Sequence, residues 1–306
     1  MTEILSTAKL LKNRLPGLTE NVLLKHHTTF GIGGPAKYFF EANTEKDFIK
    51  AIEAAKELNV PFFIFGKGSN LLVSDNGYNG IIIKCQMSVI KHKKQGNIHT
   101  IKAEAGGKLL DIVNLALKRS LVGLEWMAGI PGTVGGAVRG NAAAFSGTTG
   151  DVVARVRAFN SKTLKIIVLE NKDCQFGVKN SIFKQNPNLI ILDVEIELAS
   201  GDKKQSQEKI NKYLDCREKR HPLNLPSAGC VFINPANTSA GLLIDECGLK
   251  GMSIGGAQIS EKHANFIVNI GNAKAEDVLA LIRLIKQKVK KRFNIELREE
   301  IHYLGF

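Results

Sequence analysis

Polar and apolar positions along the chain follow two rhythms. Apolar residues recur at helical spacing at Ile4, Leu5, Ala8 and Leu11, in a pattern over residues 1–25 that ends near Pro16-Gly17. The rhythm returns at Phe48, Ile49, Ile52, Ala55 and Leu58, behind Thr44-x-x-Asp47, which reads as a capping box. Leu109, Ile112, Val113 and Ala116 predict a helix over 108–119, and Val278, Ile282, Ile285 and Val289 a long one over 275–293. A more polar helix is expected over 205–220.

Strand patterns fill the intervals. Short apolar or alternating runs lie at 38–41, 61–65, 71–73, 81–83, 98–105, 152–159, 164–169 and 189–198, with a last one over 295–304. Over residues 193–198, Asp-Val-Glu-Ile-Glu-Leu alternates strictly. Strands and helices mix without the regular order of a doubly wound parallel sheet, so the class is α+β. Polar Gly201-Asp-Lys-Lys204 is the clearest boundary. No repeat and no low-complexity tract interrupts the chain.

One stretch departs from both rhythms. Residues 123–141 hold six glycines, the only tryptophan and almost no charge. A flexible linker would be richer in Ser, Lys and Glu. Glycine lets backbone approach a ligand or another chain segment without a Cβ between them. The stretch is therefore either a ligand cradle or a buried turn. A second glycine-rich turn, Gly66-Lys67-Gly68-Ser69-Asn70, leaves the strand at 61–65, where successive N–H groups could hold an anion. Gly31, Gly33 and Ala36 match G-x-G-x-x-A formally. Polar residues 26–29 precede them and a strand follows, so a Rossmann fingerprint is excluded.

Composition narrows the rest. The 306 residues suffice for two or three domains, with 44% hydrophobic and 23% charged residues. No apolar run approaches the roughly 18 residues of a membrane span, and the first thirty residues carry no export signal. Five cysteines (Cys85, Cys174, Cys216, Cys230, Cys247) without C-x-x-C spacing argue against a disulfide framework and against a metal site, and suit a reducing compartment. The net charge of +13 is spread along the chain, without a nucleic-acid-binding signature. Small polyanions such as nucleotides are the better match.

Six segments in order resemble the UDP-N-acetylenolpyruvoylglucosamine reductases (UDP-N-acetylmuramate dehydrogenases), in their shorter type. They are Thr29-Phe-Gly-Ile-Gly-Gly34, Gly66-Lys-Gly-Ser-Asn-Leu-Leu-Val73, Ala128-Gly-Ile-Pro-Gly-Thr-Val-Gly-Gly-Ala137, Pro226-Ser-Ala-Gly-Cys230, Phe232-x-Asn-Pro235 and Glu300-x-x-x-x-Gly305. The resemblance covers nearly the whole chain. It implies a vanillyl-alcohol-oxidase-type (PCMH-type) FAD-binding fold in two subdomains, 1–86 and 87–201, with the FAD-binding region at about 32–198. A substrate-binding domain, 202–306, follows. It also implies that NADPH reduces non-covalently bound FAD, and that the reduced flavin passes hydride to the enolpyruvyl group of a UDP-sugar in peptidoglycan precursor synthesis. The expected protein is a cytoplasmic monomer without metal, membrane or nucleic-acid partner.

The same resemblance assigns residues. Gly66, Lys67, Gly68, Ser69, Asn70, Gly129, Ile130, Pro131, Gly132, Thr133, Gly135, Gly136, Ala137 and Asn141 are expected to bind FAD, the glycines leaving N–H groups open to its phosphates. Cys230 stands where relatives carry a serine proton donor, and a thiol can donate that proton. Lys179, in Val178-Lys-Asn-Ser181, stands where an arginine and its preceding tyrosine are usual, so the charge is kept and the planar fork is lost. Glu300 takes the place of the family's glutamate, with Glu296 and Glu299 as alternatives nearby. Arg220, Asn234, Lys262, His263 and Asn265 are expected at the substrate; Arg220 and Lys262 make up for Ile233, where a lysine is usual. His302 stands at a usual arginine, and His27 is structural. Two other readings stay open: an FAD-dependent oxidoreductase of this fold acting on another sugar or hydroxy acid, and a basic nucleotide-binding module.

Overall fold

A computed structural model describes residues 6–306; Ile4 and Leu5 of the first helical pattern lie outside the described residues. The chain forms two compact units, each assembled from separated stretches. One comprises residues up to Thr19 with Phe39–Gly66 and Ile81–Asp215; the other comprises Glu20–Tyr38, Lys67–Gly80 and Cys216–Phe306.

The first unit is built on an antiparallel sheet. Its strands run in the order Lys165–Glu170, Val153–Asn160, Leu189–Ser200, Ile98–Glu104, Ile90–Gln95. The alternation read in residues 193–198 is realised: Val194 and Ile196 are buried, whereas Glu197 is exposed. Asp193 breaks the pattern, buried among apolar neighbours, and pairs with Arg157 and with Lys102 at 3.2 Å. Arg157 also reaches Glu45 at 3.1 Å. Burial opposes the Arg157 charge, but Asp193 and Glu45 outweigh it and raise its pKa.

Helices Glu45–Glu57 and Leu109–Lys118 fall within a residue or two of their expected positions. The Thr44 hydroxyl accepts from the Asp47 N–H at 3.1 Å, satisfying an orphan donor of the first turn. The N-terminal helix is shorter than its pattern, Thr7–Arg14, stopped by the Pro16-Gly17 turn. Residues 19–23, inside the expected helical region, are a strand. Residues 134–140 form a helix that the glycine-rich composition hid, since each glycine costs about 1 kcal/mol against alanine in a helix interior.

The second unit packs the helix Ala275–Phe293 on a four-stranded antiparallel sheet, in the order Ser227–Cys230, Phe266–Asn269, Ala257–Ile259, Ser253–Ile254. Val278, Leu281, Ile282, Ile285 and Val289 share its core with Phe30, Phe232, Ile259 and Ile267. The cap of this helix comes from far along the chain. The Asp75 carboxylate accepts from Ala275 N–H at 2.9 and 3.0 Å, placing an acidic group at the positive end of the helix dipole.

The final strand is a correction. Only His302–Leu304 pairs, parallel to Leu71–Val73; residues 295–301 run irregularly. Glu296 and Glu299 pair with Lys290 and Lys286 of the long helix, both at 2.9 Å, and a single antiparallel bridge joins Glu299 to Phe232. The rejection of a Rossmann loop stands: the strand Pro35–Ala42 follows Gly34 directly. A Cβ at Gly34 would lie 2.0 Å from the Asp75 carbonyl oxygen, so the glycine serves backbone crossing backbone. Gly34→Ala is expected to destabilise the protein by more than about 3 kcal/mol, whereas Thr44→Ala costs about 1 kcal/mol. Urea unfolding of both variants checks the contrast.

Candidate functional site

The expected site residues divide between the units. Gly66, residues 129–137, Asn141 and Lys179 belong to the first. Residues 67–70, Arg220, Cys230, Asn234, Lys262, His263, Asn265 and Glu300 belong to the second.

In the first unit the glycine-rich stretch is a turn feeding a short helix. Ile130 N–H bonds the Met127 carbonyl at 3.1 Å, and Gly129 and Gly132 hold φ of 75° and 152°, which side chains rarely adopt. Trp126 anchors the approach through its indole N–H to the Gly123 carbonyl at 3.0 Å. Thr133 caps the helix Val134–Gly140, accepting from Gly136 N–H at 3.4 Å. Val134 and Gly135 N–H groups bond the carbonyls of Gly107 and Ala105 at 2.9 and 2.8 Å.

These bonds revise one expectation. The N–H groups of residues 134, 135 and 136 are committed within the protein, so they are not open to phosphate.

Steric room on the helix is a separate matter. A Cβ at Gly136 would find only Thr133 Oγ1, at 3.5 Å, and one at Gly140 nothing within 4 Å. These two positions, four apart, lie on one open helix face. Gly66 closes on the cap: its Cβ would sit 2.7 Å from Thr133 Oγ1. A bare backbone face beside a glycine turn fits a flat group carrying a diphosphate.

The helix ends at Asn141, in the left-handed region at φ 42°. Its buried side chain donates to the Gly177 carbonyl and accepts from Gly150 N–H, both at 2.8 Å. Ser181 Oγ donates to the Arg139 carbonyl at 2.7 Å. Together they clip the turn that carries Lys179 to the end of the glycine helix. Lys179 itself has φ 53°, a conformation uncommon for lysine, and Lys184 Nζ donates to its carbonyl at 2.9 Å. Val178 is 83% exposed and contributes no packing in place of the usual tyrosine.

In the second unit three expected residues converge. Glu300 N–H donates to the Val231 carbonyl, next to Cys230, at 2.7 Å. Asn70 Nδ2 donates to the Glu300 carbonyl at 3.2 Å, and the Asn70 carbonyl accepts from His302 N–H at 3.0 Å. Glu299, one of the alternatives, instead faces Lys286, and Glu296 faces Lys290. Of the three, Glu300 is the one whose backbone N–H bonds the segment next to Cys230. Cys230 is half-buried at the end of its strand, where the pairing with Phe266 follows a register shift.

Behind Cys230 sits Asn265, 3% exposed. Its Oδ1 accepts from Phe232 N–H at 2.9 Å, its Nδ2 donates to the Phe232 carbonyl at 2.8 Å, and its own carbonyl takes Val231 N–H at 2.8 Å. Its amide is therefore a brace for the turn. Asn234 Oδ1 likewise accepts from Ala240 N–H at 3.0 Å at the start of the helix Ala240–Glu246.

Arg220, Lys262 and His263 gather around His221, a residue that no sequence motif marks. The His221 and His263 rings lie 5.5 Å apart, each 5.0 Å from the Phe266 ring. Lys262 Nζ donates to the Glu218 carbonyl. Burial, then the positive field of His263, Arg217, Lys262 and Arg220, pushes His221 down to about 4. His263 is lowered by burial and by Lys250 and Arg220, against the pull of its backbone hydrogen bond.

Two further residues matter that sequence reasoning did not single out. Thr29 Oγ1 donates to the Ser227 carbonyl at 2.7 Å, tying the N-terminal motif to the Cys230 strand. Arg217 is buried, its pKa lowered by desolvation while Cys216 and Cys230 oppose that change. The place of Thr29 at the head of the Thr-Phe-Gly-Ile-Gly-Gly motif was the available signal for the first. Arg217 carried none, lying in a polar helix rich in other cations.

Comparison with known proteins matches both halves. Residues 221–304 match the family described as UDP-N-acetylenolpyruvoylglucosamine reductase, C-terminal domain, and residues 36–166 match FAD binding domain. The chain is 42% identical to the UDP-N-acetylenolpyruvoylglucosamine reductase of Alkaliphilus oremlandii, over 92% of this chain and 91% of that one. It is 39% identical to the reductase of Caldanaerobacter subterraneus, over 100% of this chain and 97% of that one. The crystal structure of the reductase from Thermus caldophilus superposes with a TM-score of 0.80 at 35% identity, covering 94% of this chain and 98% of that one.

Asn265→Ala is expected to cost about 2–4 kcal/mol, because it strands the buried N–H and carbonyl of Phe232. Denaturant unfolding measures the loss.

Proposed function

The chain belongs to the UDP-N-acetylenolpyruvoylglucosamine reductase family, and on that premise we propose how its residues divide the reaction. The fold is the α+β vanillyl-alcohol-oxidase-type FAD fold with the family's C-terminal domain. The activity is the NADPH-dependent, FAD-mediated reduction of UDP-N-acetylglucosamine enolpyruvate to UDP-N-acetylmuramate, in peptidoglycan precursor synthesis. When bound, FAD supplies the two-electron carrier between NADPH and the enolpyruvyl group.

Within residues 129–137 the turn 129–132 and the open position at Gly136 offer the cofactor bare backbone, and residues 66–70 are assigned to it as a second glycine turn. Reduction places a hydride on C3 of an unsaturated carboxylate and leaves charge that must be stabilised as it forms. Lys179 supplies a positive charge to that carboxylate from a turn whose backbone is clipped at both ends. Cys230 gives its thiol proton to C2. Glu300 polarises the reacting group beside it. Arg220, Lys262 and His263 take the diphosphate end of the UDP-sugar, while Asn265, Asn234 and Asn141 act through the backbone they hold.

What supports this reading most is the backbone hydrogen bond from Glu300 N–H to the Val231 carbonyl, which joins the segments that carry Glu300 and Cys230. We also propose a monomer in the cytoplasm. In support, the reaction's nucleotide substrates and a chain with no disulfide among its described residues suit a reducing compartment. Among the described residues no helix is long and apolar enough to cross a membrane. We also propose the division into 1–86, 87–201 and 202–306; the C-terminal family match at 221–304 agrees with its last boundary, and cleavage near Gly201 in limited proteolysis tests it.

Stopped-flow traces of the two half-reactions test the roles. Cys230→Ala should let NADPH reduce the flavin at the wild-type rate but slow reoxidation by the enolpyruvyl sugar by about 100-fold or more. Cys230→Ser should stay active. Equal slowing of both half-reactions in the alanine variant would remove Cys230 from the proton-donor role. Lys179→Arg should keep or raise turnover, because it restores the planar two-pronged donor. A large loss would show a pocket rebuilt around lysine.

A further inference from the structure

Cys230 ends a β-bulge. Its strand pairs with Phe266–Asn269 at Ser227, opposite Val268, and again at Cys230, opposite Phe266, with a register shift between the two. The step from Ser227 to Cys230 is three residues long where the step from Val268 to Phe266 is two, so one residue is left over. Gly229 takes the left-handed conformation at φ 77°, and a Cβ there would meet nothing within 4 Å. A bulge frees its segment from the ladder and re-aims a side chain. The direction of the Cys230 thiol is therefore decided by what holds the two feet of the bulge.

Beyond the far foot, Phe232 has both of its backbone polar groups held by the Asn265 amide. At the near foot Ser227 is held in the same way by Thr29. The Ser227 N–H donates to the Thr29 carbonyl at 3.1 Å, and the Ser227 carbonyl accepts from Thr29 Oγ1 at 2.7 Å. Thr29 N–H donates in turn to the Gly68 carbonyl at 3.2 Å. The hydroxyl has one proton to give, and the Gly68 carbonyl, 3.5 Å from it, is the poorer acceptor. We propose that Thr29 is a positioning residue for the proton transfer. Its hydroxyl fixes the near foot of the bulge, and with it the reach of Cys230 Sγ, against the glycine turn at Gly68 that is assigned to FAD. The inference rests on the reading of Cys230 as proton donor.

The two braces differ in what stands behind them. Asn265 belongs to the segment that leads into the partner strand Phe266–Asn269, whereas Thr29 lies 198 residues before Ser227 and brings the Gly68 turn with it. A proton donor displaced by about 1 Å can slow its step by about 100-fold. Hydride transfer from NADPH to the flavin takes no proton from Cys230, so that step does not feel the bulge. A positioning role thus predicts a loss confined to flavin reoxidation, in the limiting rate and not in the affinity for the sugar. Thr29→Val keeps the branched side chain and both backbone bonds, so it removes the hydroxyl bond to Ser227 alone.

Stopped-flow measurement of both half-reactions in the holoenzyme tests this. Thr29→Val should lower the limiting rate of reoxidation by the enolpyruvyl sugar by about 10-fold, with the half-saturating sugar concentration and the rate of reduction by NADPH each within about 2-fold of wild type. Thr29→Ala should give the same split. Thr29→Ser should restore reoxidation to within about 3-fold, since serine carries the same donor. On the Cys230→Ala background, Thr29→Val should add no more than about 2-fold, because it acts through the thiol. Wild-type reoxidation in the valine and alanine variants overturns the proposal. Equal slowing of the two half-reactions, failure of serine to rescue, or a full further loss on the Cys230→Ala background overturns it as well. Each of those outcomes leaves Cys230 as the donor. If Cys230→Ala alone reoxidises at the wild-type rate, the donor reading fails first and this proposal falls with it.

Discussion

A buried asparagine gripping the backbone of a reacting turn is the interaction on which the rest depends. Asn265 holds both the N–H and the carbonyl of Phe232, two residues beyond Cys230, from a position closed to water. In such a setting an unmade hydrogen bond costs its full desolvation, so the amide and the turn fix each other. The turn then fixes Glu300 through Val231, and Glu300 fixes Asn70. Asn141 does the same work in the other unit, joining the end of the glycine helix to the Lys179 turn at Gly177 and to Gly150. Two short amides thus set the geometry of groups that come from distant parts of the chain.

Charge is arranged with less symmetry than its total of +13 suggests. Where a carboxylate is buried, as Asp193 is, two cations meet it and the pair serves the sheet. Around His221 and His263 burial first, and then nearby cations, lower the basicity of both rings. The overall basicity of the chain therefore needs no nucleic-acid partner to explain it.

Much of this was legible in the sequence, and the failures share a cause. Helices with a clear apolar stripe, Glu45–Glu57 and Ala275–Phe293, came out where their periodicity placed them, because burial and capping agreed. The helix at residues 134–140 was hidden since its apolar stripe is short and three of its seven residues are glycine. Residues 295–301 looked like a strand, yet they make only one isolated bridge, at Glu299 with Phe232, and that depends on a partner segment about 65 residues earlier in the chain. The glycine stretch was readable as backbone left bare of side chains. That three of its N–H groups are spent on residues 105, 107 and 133 was not, since this depends on what folds beside it.

The same separation explains where the chain can depart from its family's residues without losing the site. Cys230 and Lys179 both stand at positions whose backbone is set by other residues: Asn265 for one, Asn141 and Ser181 for the other. The side chain at such a position controls acidity and hydrogen-bond shape, while the location of its Cα is decided elsewhere. Serine to cysteine at the proposed proton donor changes the acidity and size of the side chain and leaves its turn braced. Arginine to lysine removes a planar fork and leaves a charge on a clipped turn. Asn265 has no such latitude. Aspartate there would offer an acceptor to the Phe232 carbonyl, and a shorter residue would reach neither group, so the constraint lies on the brace and the freedom on the tip.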